Sequence, residues 1–238
     1  MHTSEGCKVL IFLDTETTGL ESSDKICSIA IISQSEDETL SQYELINEGK
    51  KIPALASSIH HITNEMIKDK NDFKNSKIYK FLQENNTQET TIVGHNVKFD
   101  LEKLSSAAYR FKGKIVDTLR VTKHLIPECE LFSLQLLRYE LKLYINEPKD
   151  VLAHHAMGDA IVVKLLYEYL LEMTTLEEMY ELSFKNVLLN KLQFGKYSGK
   201  YIEEIAMNDR GYLEWMLSSI SDLDEDLRYS IIYYLEGS

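Results

Sequence analysis

The order of apolar and polar positions predicts an α/β fold that opens with three strands. Residues 8–13 form a continuous apolar run that ends at Asp14, a pattern typical of a strand covered on both faces. Two further runs rich in isoleucine and leucine, residues 25–32 and 39–46, are separated by the acidic turn 35–38. Such spacing is typical of an antiparallel meander, so three consecutive strands are expected at the start of the sheet.

Strands then alternate with helices. A short β-type run at residues 91–94 precedes a helix that begins near Lys98, and residues 115–116 lead into a second helix for which Asp117 is a suitable N-cap. Residues 155–172 have the strongest helical pattern, with one apolar stripe along their length. The expected architecture is therefore a mixed sheet flanked by helices.

The pattern changes after this helix to that of a small, mainly helical unit. A short helix comes first, then the turn-rich segment 194–200, then two or three amphipathic helices. We therefore predict one domain over residues 1–172 and a small C-terminal domain over residues 173–238. Three lysines make residues 191–200 locally basic, whereas residues 201–238 contain two arginines and nine acids.

Charge limits the way in which this chain could bind nucleic acid. Its 238 residues include 26 basic and 38 acidic side chains, which give a formal net charge of −12. A protein that coats long stretches of nucleic acid by neutralising phosphates is therefore not expected. Divalent cations bound to a carboxylate cluster would reverse the potential locally, so a protein that holds only a strand end stays possible. We expect such binding to be weak and salt-sensitive, with little processivity.

Cysteine usage and hydropathy bear on the compartment. Cys7, Cys27 and Cys129 are odd in number and widely spaced, and no CxxC pair suggests zinc or redox chemistry. A reduced, cytoplasmic environment fits this pattern best. The first apolar run stops after five residues, which is too short for a signal peptide or a membrane span, so no membrane partner is expected.

Asp14 and Glu16 are the first candidates for chemistry. They lie two residues apart where a strand is expected to end, and the two-residue period of a strand directs both side chains to the same face. Two carboxylates held together beside an apolar run cost free energy unless a cation or a raised pKa relieves the repulsion. The alternative is that both belong to a solvated turn, and this segment alone does not separate the two interpretations.

Asp100 and Asp159 lie on helices with apolar neighbours. Asp100 shares its helix face with Leu104 and Ala107, which directs it towards the protein; the alternative is a first-turn aspartate that complements the helix dipole. Asp159 lies on the buried stripe of its helix, and no lysine or arginine of that helix precedes Lys164. A buried carboxylate needs a cationic partner, and a metal ion would supply that charge.

His154 is the candidate general base. It precedes Asp159 by five residues, which corresponds to about 140° around a continuous helix, so both side chains could not face one ion from helical positions. We therefore expect His154 in the loop that enters the helix, where it could approach a water at the metal site without binding the metal. The alternative is an ordinary surface histidine.

Three segments together carry a family resemblance. Residues 14–19, 94–100 and 154–159 resemble, in order and spacing, the three exonuclease motifs of the DEDDh (DnaQ-like) superfamily. The resemblance implies a ribonuclease H-like fold over about residues 8–172. It also implies two bound Mg²⁺ ions, for which Mn²⁺ would substitute, with His154 as general base. The implied metal ligands, which are also catalytic residues, are Asp14, Glu16, Asp100 and Asp159.

The resemblance also implies where the substrate binds. One stretch matches the family's loop that cradles the 3′-terminal nucleotide, two further residues line the same pocket, and a histidine in an IH-x-IT segment contacts the terminal nucleotide. These substrate-binding candidates are Thr17, Thr18, Gly19, Leu20, Asn96, Phe99 and His60. The segment from Phe194 to Trp215 resembles the C-terminal segment of the exodeoxyribonuclease X type of members, although here the tail is strongly acidic.

The implied function is a metal-dependent 3′-5′ exodeoxyribonuclease that releases 5′-mononucleotides from DNA ends by two-metal-ion hydrolysis in DNA repair. Its partner would be DNA with single-stranded or frayed 3′ ends, and no obligatory protein partner is evident. Three alternatives stay open: an exoribonuclease that trims RNA 3′ ends, a proofreading subunit of a DNA polymerase, and a catalytically silent nucleic-acid-binding module.

Overall fold

A computed structural model describes residues 9–36, 38–129 and 131–237 of the chain. Cys7, the first residue of the predicted opening strand (Lys8) and Asp37 of the predicted acidic turn lie outside the described residues. Within them, none of the helices combines the length and the apolar character that crossing a membrane requires.

A five-stranded mixed sheet forms the centre of the first part of the chain. Its order is β3-β2-β1-β4-β5. β1, β2 and β3 pair antiparallel, as the meander pattern predicts, whereas β4 and β5 extend the sheet in parallel with β1. The strands are β1 (Val9–Thr17), β2 (Ile26–Gln34), β3 (Thr39–Leu45), β4 (Thr90–Gly94) and β5 (Lys114–Asp117).

β1 is longer than its apolar run predicts. The expected end at Asp14 is wrong, because antiparallel pairing with β2 continues to Thr17. Pairing with β4 stops earlier, at Phe12 opposite Val93. Beyond Phe12 the strand therefore has a neighbour on the β2 side and has run past the end of β4 on the other side. Both Asp14 and Glu16 lie in this overhanging part of the strand.

Helices cover both faces of the sheet, as expected. Successive side chains of β1 are buried on opposite faces, so each face needs a layer of helices. Phe12 packs in a core with α7 (Ala156–Leu171) and the helices near it, whereas Ile11 and Leu13 pack in a second core with α3 (Lys77–Glu84) and α4 (Val97–Ser106). The helices of the first unit are α1 (Ala54–His60), α2 (Asn64–Ile67), α3 (Lys77–Glu84), α4 (Val97–Ser106), α5 (Thr118–Leu125), α6 (Leu134–Glu140), α7 (Ala156–Leu171) and α8 (Leu176–Leu182), with 3₁₀ turns at Phe73–Asn75 and Leu143–Ile145.

The chain forms two compact units that divide between Ser183 and Phe184. The boundary predicted near residue 173 lies before α8. That helix packs against β5 and α5, and its buried side chains Leu176, Met179 and Leu182 belong to the core around Phe12. The first compact unit therefore includes α8, because three apolar side chains of this helix need that core to be buried.

The second unit is mainly helical and has a core of its own. That core is built from leucine, isoleucine and methionine side chains, among them Leu192, Leu213 and Ile231. Leu192 comes from the loop that precedes the helices, and a short antiparallel bridge joins Lys191 to Tyr201. The expected amphipathic helices are α9 (Ile202–Asn208), α10 (Arg210–Ser219) and α11 (Glu225–Glu236).

Candidate active site

Three carboxylates meet beside the overhanging part of β1. Each of Asp14, Glu16 and Asp159 offers an oxygen atom, and these three atoms lie within 4.8 Å of one another. Asp14 and Glu16 share one face of β1, as the two-residue period predicts. Asp159 lies in the first turn of α7, which packs on that face of the sheet. The fold thus brings together acids that are more than 140 residues apart in sequence.

Asp100 approaches the cluster from the other face of β1. It lies buried in the first turn of α4, and its Oδ1 accepts a hydrogen bond of 2.5 Å from Thr15 Oγ1. Thr15 alternates with Asp14 and Glu16, so its side chain leaves the strand on the α4 side. Asp100 is not one of the three acids with oxygens inside 4.8 Å, but its charge acts on Asp14 and Glu16.

Burial and mutual repulsion make the ionised cluster unfavourable without a cation. Burial raises the pKa of Asp14 well above its usual range, and the charges of Asp100, Asp159 and Glu16 raise it further. Burial, then the charges of Asp159 and Asp100, raise the pKa of Glu16 to about 8. Burial raises the pKa of Asp100 to about 7 against the opposing hydrogen bond from Thr15. The cluster therefore keeps protons at neutral pH unless a positive charge replaces them.

Asp159 has polar partners that the sequence did not reveal. Gln135 Nε2 donates to its Oδ1, and Arg138 Nη1 donates to Gln135 Oε1 at 3.1 Å. Burial raises the pKa of Asp159 to about 6, while the charge of His154, the bond from Gln135 and the charge of Arg138 oppose that rise. Part of the positive charge that we expected from a metal ion comes from Arg138, which is not on the same helix as Asp159. Arg138 comes instead from α6, 21 residues earlier.

Arg138 also holds the loop that contains His154 in place by hydrogen bonds. Its guanidinium donates twice to Glu147, at 2.7 and 2.6 Å, and once to the carbonyl oxygen of Val151 at 3.1 Å. Arg138 is buried, and the pair with Glu147, together with the bonds to Val151 and Gln135, satisfies most of its donors. Both Glu147 and Val151 lie between α6 and α7. One side chain therefore connects the partner of Asp159 with the loop before α7.

His154 lies in that loop, as expected, and not on the helix. α7 begins at Ala156, and His154 is exposed with a backbone φ of 54° in the left-handed region. Gly158 allows the loop to close on the helix, because a Cβ at that position would overlap the carbonyl oxygen of Leu152. The charge of His154 lowers the pKa of Asp159, so the imidazole is close enough to act on the cluster.

The loop after β1 is held by its own polar contacts. Thr17 Oγ1 donates to Gly19 O at 2.7 Å, and Thr18 Oγ1 donates to Asp24 Oδ1 at 2.8 Å. An added Cβ on Gly19 would lie 2.5 Å from Asp24 Oδ2, so glycine is required there for the loop to close on Asp24. Hydrogen bonding from Lys50 holds the pKa of Asp24 at about 2. The predicted nucleotide loop is therefore preformed.

Leu20 and Phe99 lie on one cleft of about 370 Å³. Leu20 is 84% exposed, which is unusual for a leucine and fits a side chain that packs on a ligand rather than in the core. Lys103 Nζ lies 4.9 Å from the centre of the Phe99 ring and donates to Glu21 O at 2.5 Å. Two of the predicted substrate-binding residues thus share a surface recess.

Asn96, Asp117 and His60 have clear structural contacts. The backbone N–H of Asn96 donates to Asp117 Oδ1 at 2.9 Å, and its own side chain is exposed at the start of α4. Asp117 caps α5 by accepting from Leu119 N, which confirms the predicted N-cap. His60 is buried, with Nδ1 accepting from Ile62 N at 3.0 Å, and burial lowers its pKa despite a bond with the backbone of Thr17. The ring therefore supports the loop after β1.

The donor set fits a hard divalent cation. Carboxylate oxygens are the ligands that Mg²⁺ and Mn²⁺ prefer, and the cluster contains no thiolate from the part of the chain that the structure describes. A cation would relieve the repulsion among these acids, whose pKa is raised well above its usual range for Asp14, to about 8 for Glu16 and to about 6 for Asp159. A mixed sheet that presents such a cluster at an overhanging strand, with a histidine beside it, defines the class of metal-dependent phosphodiester hydrolases with a ribonuclease H-like fold.

Sequence comparison identifies the family within that class. The exonuclease family profile matches residues 11–167, and an exodeoxyribonuclease X-like C-terminal profile matches residues 192–220. The chain belongs to the exonuclease family. Divalent-metal dependence is what this family implies, and the acidic cluster agrees with it.

Individual relatives extend the similarity over nearly the whole chain. Exodeoxyribonuclease 10 of Escherichia coli is 26% identical over 233 residues, which cover 97% of this chain and 100% of that protein. DNA polymerase III subunit epsilon of Treponema pallidum is 30% identical over 165 residues, which cover 65% of this chain and 72% of that protein.

Solved structures resemble the first unit in fold. Exonuclease X in complex with 5′ overhanging duplex DNA has a TM-score of 0.60 and 25% identity, covering 73% of this chain and 99% of that chain. Exonuclease I has a TM-score of 0.57 and 19% identity over 73% of this chain and 42% of that chain, which supports the fold alone. The predicted ribonuclease H-like architecture is confirmed.

Proposed function

We propose that this chain is a metal-dependent 3′-5′ exodeoxyribonuclease that releases 5′-mononucleotides from DNA ends. The observation that carries the proposal is the carboxylate cluster of Asp14, Glu16 and Asp159, with Asp100 beside it, in a chain of the exonuclease family. Similarity to exodeoxyribonuclease 10 over nearly the full length of both proteins supports DNA as the substrate.

In this proposal the four acids hold two Mg²⁺ ions, for which Mn²⁺ substitutes. Such ions, when bound, supply a water that is nucleophilic near neutral pH and stabilise charge on the phosphate and on the departing oxygen. The part of the protein is to hold Asp14, Glu16 and Asp159 close together and to keep Asp100 oriented through Thr15. Gln135 donates to Oδ1 of Asp159 and so helps to orient this carboxylate.

His154 acts as general base in this proposal. Its loop position leaves the imidazole exposed, so the ring reaches a substrate water and returns the proton to solvent after each cycle. The contacts of Arg138 with Val151 and Glu147 limit movement of the loop that carries it. Orientation of the base therefore depends on a side chain that takes no part in proton transfer.

The 3′-terminal nucleotide is held, we propose, by the preformed loop of Thr17, Thr18, Gly19 and Leu20. Leu20 and Phe99 share a cleft, so a base placed there would stack between an aliphatic and an aromatic surface. The exposed side chain of Asn96 offers an amide to the same nucleotide. His60 stabilises this loop through its hydrogen bond with the backbone of Thr17.

Single-stranded or frayed 3′ ends fit this arrangement, because the four acids and the −12 net charge leave little surface that would grip a long duplex. A repair role in the cytoplasm, without an obligatory protein partner, belongs to the same proposal. Similarity to a DNA polymerase III subunit epsilon favours one second candidate, a proofreading subunit. Activity of the isolated chain at the size of a monomer would argue against that candidate.

Digestion of matched DNA and RNA oligomers tests the proposal. Each oligomer is labelled separately at its 5′ and 3′ end and incubated with Mg²⁺, with EDTA, and with EDTA followed by excess Mg²⁺. We expect the 3′ label of DNA to leave first as a 5′-mononucleotide, only when Mg²⁺ is present. Loss of the 5′ label first, equal digestion of RNA, or release in EDTA would each contradict a part of the proposal.

His154→Ala tests the base. Turnover should fall by about 10²–10⁴-fold because proton transfer is lost, while Mn²⁺ affinity measured by calorimetry stays within about twofold. His155→Ala is the matched control, because this neighbour stacks on Tyr43 at 4.5 Å in β3 and has no part in the cluster. Unchanged turnover in His154→Ala would remove it from the mechanism.

A further inference from the structure

The second unit carries an aromatic surface with a lysine over it. We name it the Tyr212 surface and define it by Lys196, Tyr197, Tyr212 and Trp215. Lys196 Nζ lies 4.6 Å from the ring centre of Tyr197 and 5.9 Å from that of Tyr212. The ring centres of Tyr197 and Tyr212 are 5.0 Å apart, and those of Tyr212 and Trp215 are 5.7 Å apart. The four side chains thus form one continuous group.

A glycine and several hydrogen bonds fix the backbone and the rings of this surface. Gly195 has a φ of 79°, and a Cβ there would lie 2.5 Å from Tyr212 Oη, so the loop closes on the tyrosine only with glycine. Tyr212 Oη accepts from Lys196 N at 3.2 Å, and Tyr197 Oη donates to Asp209 at 2.7 Å. These contacts fix the rings in place before any ligand arrives, which lowers the entropic cost of binding.

Trp215 is on this surface rather than in the core. The neighbouring Leu213 and Met216 are fully buried on the other side of α10, whereas Trp215 is 51% exposed. A helix that only had to cover the core of this unit would not need a large aromatic side chain in that position. An exposed indole beside a tyrosine is what a stacking partner would contact.

The loop part of this surface lies in a basic stretch, whereas Tyr212 and Trp215 lie in the acidic residues 201–238. Residues 184–200 contain four lysines and no acid, within a protein of net charge −12. Lys196 pairs with Asp209 at 3.1 Å, but its side chain stays 62% exposed, and an exposed pair of this kind is easily exchanged for another anion. This is the stretch of the second unit that an anionic polymer would approach.

We propose that the Tyr212 surface binds unpaired bases of the DNA substrate by stacking, with Lys196 contacting the backbone phosphate. Aromatic side chains and a cation on a preformed scaffold are the chemistry that single strands recognise without sequence preference, because every base has a π-face. This inference rests on the proposed function and adds a second contact on the strand, outside the carboxylate cluster. It gives an acidic nuclease a way to hold DNA that does not depend on a broad basic groove.

Trp215 reports directly on this contact, because it is the one tryptophan in the sequence. An oligo(dT) strand is titrated into the full-length protein in EDTA, which prevents hydrolysis, and intrinsic fluorescence is followed at several salt concentrations. We expect saturable quenching of Trp215 and a shift of its emission. The salt slope for binding of a labelled strand should fall by about 0.7 in Lys196→Ala, the value for loss of one phosphate contact on single strands.

Trp215→Ala should weaken binding of a labelled strand by about 5- to 100-fold, whereas Trp215→Phe should recover much of the loss. Lys112→Ala is the matched charge control, an exposed lysine of the first unit whose removal should leave the salt slope unchanged. Urea unfolding of each variant separates a binding defect from a folding defect. A binding loss that Trp215→Phe does not recover would mean that this side chain does not act by stacking.

The result that overturns the inference differs from failure of the proposed function. If the protein releases mononucleotides from DNA but Trp215 fluorescence does not respond to the strand, the Tyr212 surface does not bind DNA and the enzyme assignment stands. If no nucleotide is released with any metal, the proposed function fails whatever the fluorescence shows. Quenching that persists unchanged in Lys196→Ala, with the same salt slope, would remove the lysine from the contact.

Discussion

At the scale of single residues, the site is defined by carboxylates that the fold holds close together at a cost. Asp14, Glu16 and Asp159 lie within reach of one ion, and burial raises the pKa of each. A bound cation would offset this cost, because it would replace the protons on the carboxylates. Stability without metal and affinity for metal are therefore opposed at these positions.

Glu16→Gln should stabilise the metal-free protein at high pH. The pKa of Glu16 in the folded state is about 8, above its ordinary value of 4.5. Its protonated side chain therefore favours the folded state below about pH 4.5, and this contribution to the free energy of unfolding is lost as pH rises through 8. Glutamine does not ionise, so the variant does not lose this stability at high pH. In EDTA at pH 8.5 we expect the free energy of unfolding to rise by roughly 2 kcal/mol, against little change at pH 4, measured by urea denaturation.

Glu36→Gln is the control for this experiment, because Glu36 is exposed in the turn between β2 and β3 and should change stability little at either pH. The Glu16→Gln protein should also lose affinity for Mn²⁺. A variant that is less stable than the wild type at pH 8.5 in EDTA would show that the ionised glutamate is not a burden on the metal-free fold.

At the scale of elements, the site depends on β1, α4 and α7 directly and on α6 indirectly. Local sequence patterns were enough to predict three features. They are the strand formed by the apolar run, the common face of Asp14 and Glu16, and the position of His154 in a loop. The extension of β1 to Thr17 could not be predicted from the sequence, because pairing with β2 decides where the strand ends. The contact of Arg138 with this site was equally hidden, since it arises from the packing of α6 against α7.

Other elements were missed because they are short. α2 spans four residues, and α3 follows Ser76, whose hydroxyl accepts from Tyr79 N. A cap of this kind stabilises a short helix. The seven-residue α6 has no side-chain cap bond and packs against α7. Only tertiary packing makes such segments helical, so the sequence pattern alone could not predict them.

Arg138→Ala should destabilise the protein and loosen the loop before α7. It removes a buried cation with two bonds to Glu147 and one to Val151, and leaves that carboxylate without its partner. We expect the free energy of unfolding to fall by about 3–5 kcal/mol. Hydrogen exchange should show lower protection in residues 147–155 specifically, followed by a fall in kcat with little change in KM for the strand.

Lys142→Ala is the comparison for that variant, because it removes an exposed positive charge close to α6 without a buried contact. Arg138→Lys should rescue only partly, since a lysine cannot donate to both oxygens of Glu147 and to Val151 in one plane. Full stability and full activity of Arg138→Ala would mean that the guanidinium does not support the loop.

At the scale of the whole molecule, a net charge of −12 limits how long the protein stays on DNA. We expect affinity for DNA to depend on a few contacts at the strand end and on the Tyr212 surface. Few phosphate contacts mean that a bound strand is released easily. The chain should therefore act distributively on long substrates.

A trap experiment measures this property. The protein is bound to labelled DNA, and Mg²⁺ is added together with a large excess of unlabelled strand. We expect removal of only a few nucleotides per binding event, and a fall in initial rate between 50 and 200 mM salt that is shallow, because the slope follows the small number of phosphate contacts. Complete digestion of each bound strand in the presence of the trap would contradict the charge argument.

Binding of divalent cations by Asp14, Glu16, Asp100 and Asp159 can be observed in a crystal grown with Mn²⁺ and measured at a wavelength where manganese scatters anomalously. We expect anomalous density between these carboxylates, and its loss in Asp159→Asn. An empty anomalous map, with the four side chains turned apart into solvent, would mean that these residues do not form a metal site.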